Sequence, residues 1–166
     1  MNGTGGDWVF GCDSWVFGDG TYTRIEVGHE FVASIEFWPI GRFEAVDPRP
    51  LSVEHTTGNR YAVTAQVVEV ADFIVIHLDG LDVSCHAPPM SQSAELKAGK
   101  FVTGKVGLAL NPFDWDPTSH SRRKRWVANA IARRGAKATT EPVTAAPEDT
   151  GSLDSFLIQC AMVSTH

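Results

Sequence analysis

The residues best placed by type and spacing to do chemistry are Gln66, His77, Asp82, Ser84 and His86, with Phe73 at their border. Asp79-Gly80 organises them. This dipeptide is a strong two-residue hairpin signal, because Asp and Gly tolerate the positive φ that a type I′ turn needs. A reversal there pairs Leu78 with Leu81, Ile76 with Val83 and Ile74 with Cys85, an all-apolar row. The opposite face pairs His77 with Asp82, Val75 with Ser84 and Phe73 with His86. A slip of one residue would mix the two sets, so the pattern fixes the pairing. A second two-residue turn at Ala71-Asp72 would set Gln66 beside His77 and Val67 beside Ile76.

Direct cross-strand neighbours stand roughly 5 Å apart at Cβ. An imidazole held by a carboxylate at that distance can orient a base or bind an anion. The plainer account is a solvated sheet face carrying one ordinary polar pair. A metal site built from His77, Cys85 and His86, with His29 or His55, fails on geometry. Adjacent strand residues point to opposite faces, whereas zinc needs three or four converging ligands. No metal or cofactor is expected. Cysteine or serine nucleophiles are equally poorly supported. There is no GxSxG elbow, and Cys85 and Cys160 fall in apolar rows where Cys packs as a small hydrophobe. Cys12, between Gly11 and Asp13, is expected to be more exposed, but an acidic neighbour does not activate a thiol. Gly3-Thr4-Gly5-Gly6 lacks the strand, Lys and Ser/Thr of a phosphate loop.

A second candidate is electrostatic. Seven of the 14 Lys and Arg residues lie between His120 and Lys137, a stretch without an acid, on a chain of net charge −6. Arg122, Arg123, Lys124 and Arg125 could contact phosphates, with Trp126 stacking on a base, as a single-stranded nucleic-acid binder would require. Against this stand the acidic remainder of the chain and the scarcity of aromatics and cations on the hairpin face. A third feature is the aromatic set Trp8, Phe10, Trp15 and Phe17 in a Gly-rich context, which is expected to pack internally or to support a homodimer through an N-terminal arm or a sheet edge.

The elements that position these residues read mostly as strands. Glu30–Trp38 alternates, with Phe31, Ala33, Ile35 and Phe37 on one face, and Pro39-Ile40-Gly41 is expected to end it. Phe43–Val46 reads as a short continuation. Asp47-Pro48-Arg49-Pro50 interrupts the sheet, and Thr57-Gly58-Asn59 is a turn. Tyr61–Val70, Phe73–Leu78 and Leu81–His86 form a three-strand meander. Ser91–Leu96 reads as one helical turn. Phe101–Leu110 is a further strand in which Gly104 and Gly107 signal a bulge or a close backbone approach. Ser121–Arg134 reads as a helix, with a strand over Trp126–Ile131 as the alternative. The stretch 136–151 reads as a mobile loop, and Ser155–Val163 is a last strand.

This pattern predicts a mostly β protein: an antiparallel small β-barrel of OB type, or a sandwich, with one short helix. Residues 1–20 form an arm and residues 21–163 one barrel-like domain. At 166 residues the chain would bury roughly 70% of its unfolded surface and needs no disulfide staple. Three Cys without a CxxC suit a reducing compartment. No secretory signal or apolar membrane span is visible, so the expectation is an acidic cytoplasmic protein that does not engage membranes. The leading functional expectation is a non-enzymatic binding or interaction module, its partner an unidentified protein or small ligand held on the His77 face. An OB-like nucleic-acid binder using residues 122–126, and a small enzyme with a His77–Asp82 acid–base pair, are the alternatives.

Overall fold

The computed structural model describes residues 7–18, 21–86, 96–112, 114, 117–135, 140–146 and 154–164. In chain order, its strands are β1 (Trp8–Asp13), β2 (Ile25–Glu26), β3 (Glu30–Ala33), β4 (Ile35–Val46), β5 (Ser52–Thr57), β6 (Arg60–Val70), β7 (Ile74–His77), β8 (Asp82–Cys85), β9 (Phe101–Leu110), β10 (Lys124–Arg134), β11 (Thr140–Val143), β12 (Ala145–Ala146) and β13 (Ser155–Met162). One α-helical turn, α1 (Trp15–Gly18), and a 3-10 segment over Pro117–Arg122 complete the described elements. The chain is therefore mostly β with antiparallel pairing dominant, and it groups into two compact units: the described residues of Met1–Ser34 with Leu110–His166, and those of Ile35–Ala109.

Within the second unit, β4, β8, β7, β6 and β9 close into a ring, with β5 added on the far edge of β6. Hydrophobic segregation sets that ring. Val67 pairs with Ile76, Ile76 with Val83, and Val83 with Ile35 across a short parallel contact. All four are fully buried, so one apolar row runs through four strands. The turn at Asp79-Gly80 forms as the sequence predicts. Leu78 N donates to Leu81 O at 2.8 Å, and Gly80 adopts φ +77, a value that glycine reaches without a Cβ penalty.

The preceding turn differs from expectation. Val70 pairs with Ile74, so three residues, not two, make the reversal, with Ala71 N donating to Phe73 O. A bulge between Val67 and Glu69 absorbs the extra residue. The two offsets cancel, and Gln66 still pairs with His77. Another departure is at Pro39-Ile40-Gly41, which does not end its strand: β4 continues to Val46, with Gly41 at φ +80.

Close approach explains both glycines of β9. A Cβ on Gly104 would lie 2.5 Å from Phe43 Cδ1, and one on Gly107 would lie closer still to the Trp38 indole. Phe43 is buried, whereas Trp38 is 40% exposed.

In the first unit, β10 is the central strand. It pairs with β13 along one edge and with β3 and β11 along the other; β1 lies on the far side of β13. The expected helix over Ser121–Arg134 is replaced by the 3-10 segment and β10, the strand alternative. Trp126, Ala128 and Ile131 are buried, with a bulge between Ala128 and Ala130 restoring the inward direction. The rows of β3 and β13 on either side complete its backbone hydrogen bonds, which outweighs the helical preference of an Ala- and Arg-rich segment. Within the stretch read as a loop, Thr140–Val143 and Ala145–Ala146 are strands, β12 pairing with β2. Of the helical turn expected at Ser91–Leu96, residues 91–95 lie outside the described residues. Among the described residues no helix is long and apolar enough to cross a membrane.

Replacing Gly104 by Ala should cost about 1–3 kcal/mol through overpacking against the buried Phe43 ring. Gly107→Ala should cost less, because the exposed Trp38 indole can move aside. Urea unfolding of the two variants checks this order; equal and negligible losses would contradict it.

Candidate functional site

The hairpin of β7 and β8 places the leading candidates on one face. His77 and Asp82 are direct partners, and His77 Nδ1 lies 2.5 Å from Asp82 Oδ1. Their side chains are 38% and 42% exposed, so water screens the pair and it contributes at most about 1 kcal/mol to stability. What the contact does is orient the ring. With Nδ1 engaged by the carboxylate, Nε2 is the nitrogen left to meet a ligand. Gln66 stands on the other side of His77 in the same cross-strand row. Phe73 and His86 place their rings 5.7 Å apart with 34° between planes, although Phe73 sits in the turn and not opposite His86 in a strand.

The middle of the face departs from the expectation of a polar surface. Val75 and Ser84 pair as predicted, but Ser84 is fully buried and Val75 is 3% exposed. Ser84 Oγ is buried without a hydrogen-bond partner. Ser84 therefore does not line the surface next to His77. The half-buried members are Gln66, Phe73, His77, Asp82 and His86, and both ring nitrogens of His86 are buried.

The basic segment is arranged for internal contacts. Trp126 is fully buried; its Nε1 donates to Ala33 O at 3.2 Å, and Phe10 packs edge-on against it. A base cannot stack on it, which removes one element of the nucleic-acid reading. Arg122 is 7% exposed. Arg123 pairs with Asp114, and Arg125 with Glu30. Charge neutralisation inside the unit thus uses much of the local positive charge.

Asp114 belongs to a buried polar cluster that no local sequence pattern marks. Ser34 N and Oγ both donate to Asp114 Oδ1, at 3.0 and 2.5 Å, across 80 residues of chain. Asn111 Nδ2 donates to Ser34 Oγ at 3.0 Å, and Ser119 Oγ to Asp114 O at 3.0 Å. Arg123 Nε lies 3.0 Å from Asp114 Oδ2, and Tyr22 OH donates to Asn111 O. Every member except Arg123 is buried. The only hint in the sequence is Asn111-Pro112 after a strand, an ordinary turn signal.

The aromatic set near the N-terminus divides. Phe10 and Phe17 are buried, Trp8 stacks on Phe10, and Trp15 is 53% exposed. Cys12, expected to be more exposed, is 4% exposed because its side chain faces inward on β1. Cys12, Cys85 and Cys160 are all free and buried. Burial pushes the Cys160 thiol well above the ordinary cysteine range, and the charge of Asp7 adds to the effect. Among the described residues no three His, Cys, Asp or Glu side chains converge as a metal site would require.

Comparison with known proteins returns no matching family model, no matching curated protein and no matching solved structure.

The native protein should react slowly with Ellman's reagent at neutral pH and release three equivalents only after denaturation; fast labelling of any thiol in the native state would contradict the burial. Asp114→Ala strands two Ser34 donors and uncouples Arg123, and should cost about 3 kcal/mol in urea unfolding.

Proposed function

We propose that the chain is a binding module that holds a small polar ligand on the β6–β7–β8 face, without itself transforming it. The observation that carries this reading is the His77 Nδ1 to Asp82 Oδ1 contact, which fixes an accessible imidazole between Gln66 and the Asp82 carboxylate. Gln66 offers an amide donor and acceptor and His77 a ring nitrogen. The Phe73–His86 ring pair lies four residues from His77, beyond the covered Val75–Ser84 pair. The closed ring of strands in this unit supports reading it as a small barrel of the OB type, a class that binds ligands on the equivalent sheet face; that step rests on fold analogy. Three cysteines outside any disulfide favour a reducing, cytoplasmic setting.

A small enzyme built on the same pair is the second reading, favoured by the short His77–Asp82 contact, which is the base-and-orienter half of a catalytic relay. Its other half needs a nucleophile or substrate group at His77 Nε2. The hydroxyl in that row, Ser84, makes no hydrogen bond and is sealed from solvent, so binding is the better-supported reading.

A fragment screen read by amide and imidazole NMR shifts tests the proposal. Hits should cluster on Gln66, His77, Asp82 and His86, and His77→Ala should abolish them while changing stability by less than about 1 kcal/mol. Hits confined to other surfaces would remove the assignment.

A further inference from the structure

We infer that the β3–β10–β13 sheet of the first unit carries a separate pocket for a small amphipathic anion: an oxyanion head, carboxylate or phosphate monoester, on a short aliphatic body. The pocket is an open depression of about 430 Å³.

Alternation along β10 builds it. Trp126 points into the core, so Arg125, its neighbour, points outward. Val32 is the cross-strand partner of Arg125 on β3. On the other edge Val163 N donates to Arg125 O at 2.9 Å. Val32, Arg125 and Val163 thus form one row on the outer face, a guanidinium between two aliphatic side chains. Arg123, Lys124, Met162 and Ser164 also line it; Lys124 and Met162 alternate onto the Trp126 side of the sheet and meet the depression at the end of β10. Val32 is 51% exposed, an apolar side chain left in water beside cations.

Charge selects the ligand's sign. Asp114 holds Arg123 and Glu30 holds Arg125, and each guanidinium carries five N–H donors, more than one carboxylate contact consumes. Lys124 has no ion-pair partner among the described residues. Three cations thus line the depression against two carboxylates, beside the aliphatic side chains of Val32 and Val163. A hydrated inorganic ion would use only the cations, whereas an amphipathic anion uses both. A polynucleotide fits less well, since Trp126 is unavailable for stacking and two of the cations are already engaged.

The test is titration of the intact protein with hexanoate, hexyl phosphate, hexanol, inorganic phosphate and an oligothymidylate, following the methyl signals of Val32, Met162 and Val163. Hexanoate or hexyl phosphate should shift these signals saturably, the stronger of the two naming the head group. Hexanol and inorganic phosphate should bind at least tenfold more weakly. Lys124→Met should weaken the preferred anion about tenfold, the usual scale of a charge-assisted contact. Val32→Glu, on an exposed position that leaves folding intact by circular dichroism, should abolish binding. Absence of saturable shifts with both hexyl anions, equal binding of hexanol, or indifference to both substitutions would overturn the proposal. So would oligothymidylate binding more tightly than either anion with a steep salt dependence, which would assign the pocket to nucleic acid.

Discussion

Segregation of hydrocarbon from heteroatoms across the hairpin at Asp79-Gly80 is the constraint on which the second unit depends. Val67, Ile76, Val83 and Ile35 form a continuous buried row only in one pairing. Burying each such side chain is worth about 1.5–3 kcal/mol, so exposing all four would cost about 6–12 kcal/mol, the size of a whole domain's net stability. The polar row at Gln66, His77 and Asp82 is therefore positioned by its apolar counterpart. The His77–Asp82 contact is too exposed to set the pairing itself; it inherits its geometry from the core beneath.

The first unit solves a different problem. Ser34, Asn111, Asp114 and Ser119 are fixed in the interior by hydrogen bonds between segments remote in sequence. A buried carboxylate is tolerable only when its charge is compensated, and here backbone and hydroxyl donors reach Oδ1 while the Arg123 guanidinium forms an ion pair with Oδ2. Such a cluster is demanding about position: it tolerates one arrangement of the end of β3, of Asn111 and Asp114, and of the residues leading into β10. Directional bonds thus do for this unit what apolar burial does for the other.

Legibility in the sequence follows from how local each cause is. Alternation over Tyr61–His86 and Phe101–Leu110 is a local signal, and it yields the strands, the pairing of Gln66, His77 and Asp82, and the close approach at Gly104 and Gly107. The burial of Ser84 is not local, since the residue is polar and alternates correctly but its face is covered. Lys124–Arg134 misleads because Ala and Arg favour helix in isolation, whereas the neighbouring strands that claim its backbone are far away in the chain. The clearest case is the repeated tetrapeptide Trp-Val-Phe-Gly. At residues 8–11 it is part of β1 and at residues 15–18 it is α1. Identical local propensity takes two conformations because only the first copy has β13 beside it. The buried polar cluster is invisible for the same reason: its members meet only after folding.

The bulge at Val68 has a consequence for how this protein can change over time. The reversal after Val70 holds one residue more than a minimal turn, and the strand before it holds one more than its partner opposes. Neither extra residue faces a partner, so loss of either would leave the pairing of Gln66 with His77 and of Val70 with Ile74 intact and would change only the local bend or the tightness of the turn. This corner is thus a place where the chain can shorten by one residue without turning a side chain to the wrong side of the sheet. Drift in length should gather here and spare the uninterrupted pairing before Val67.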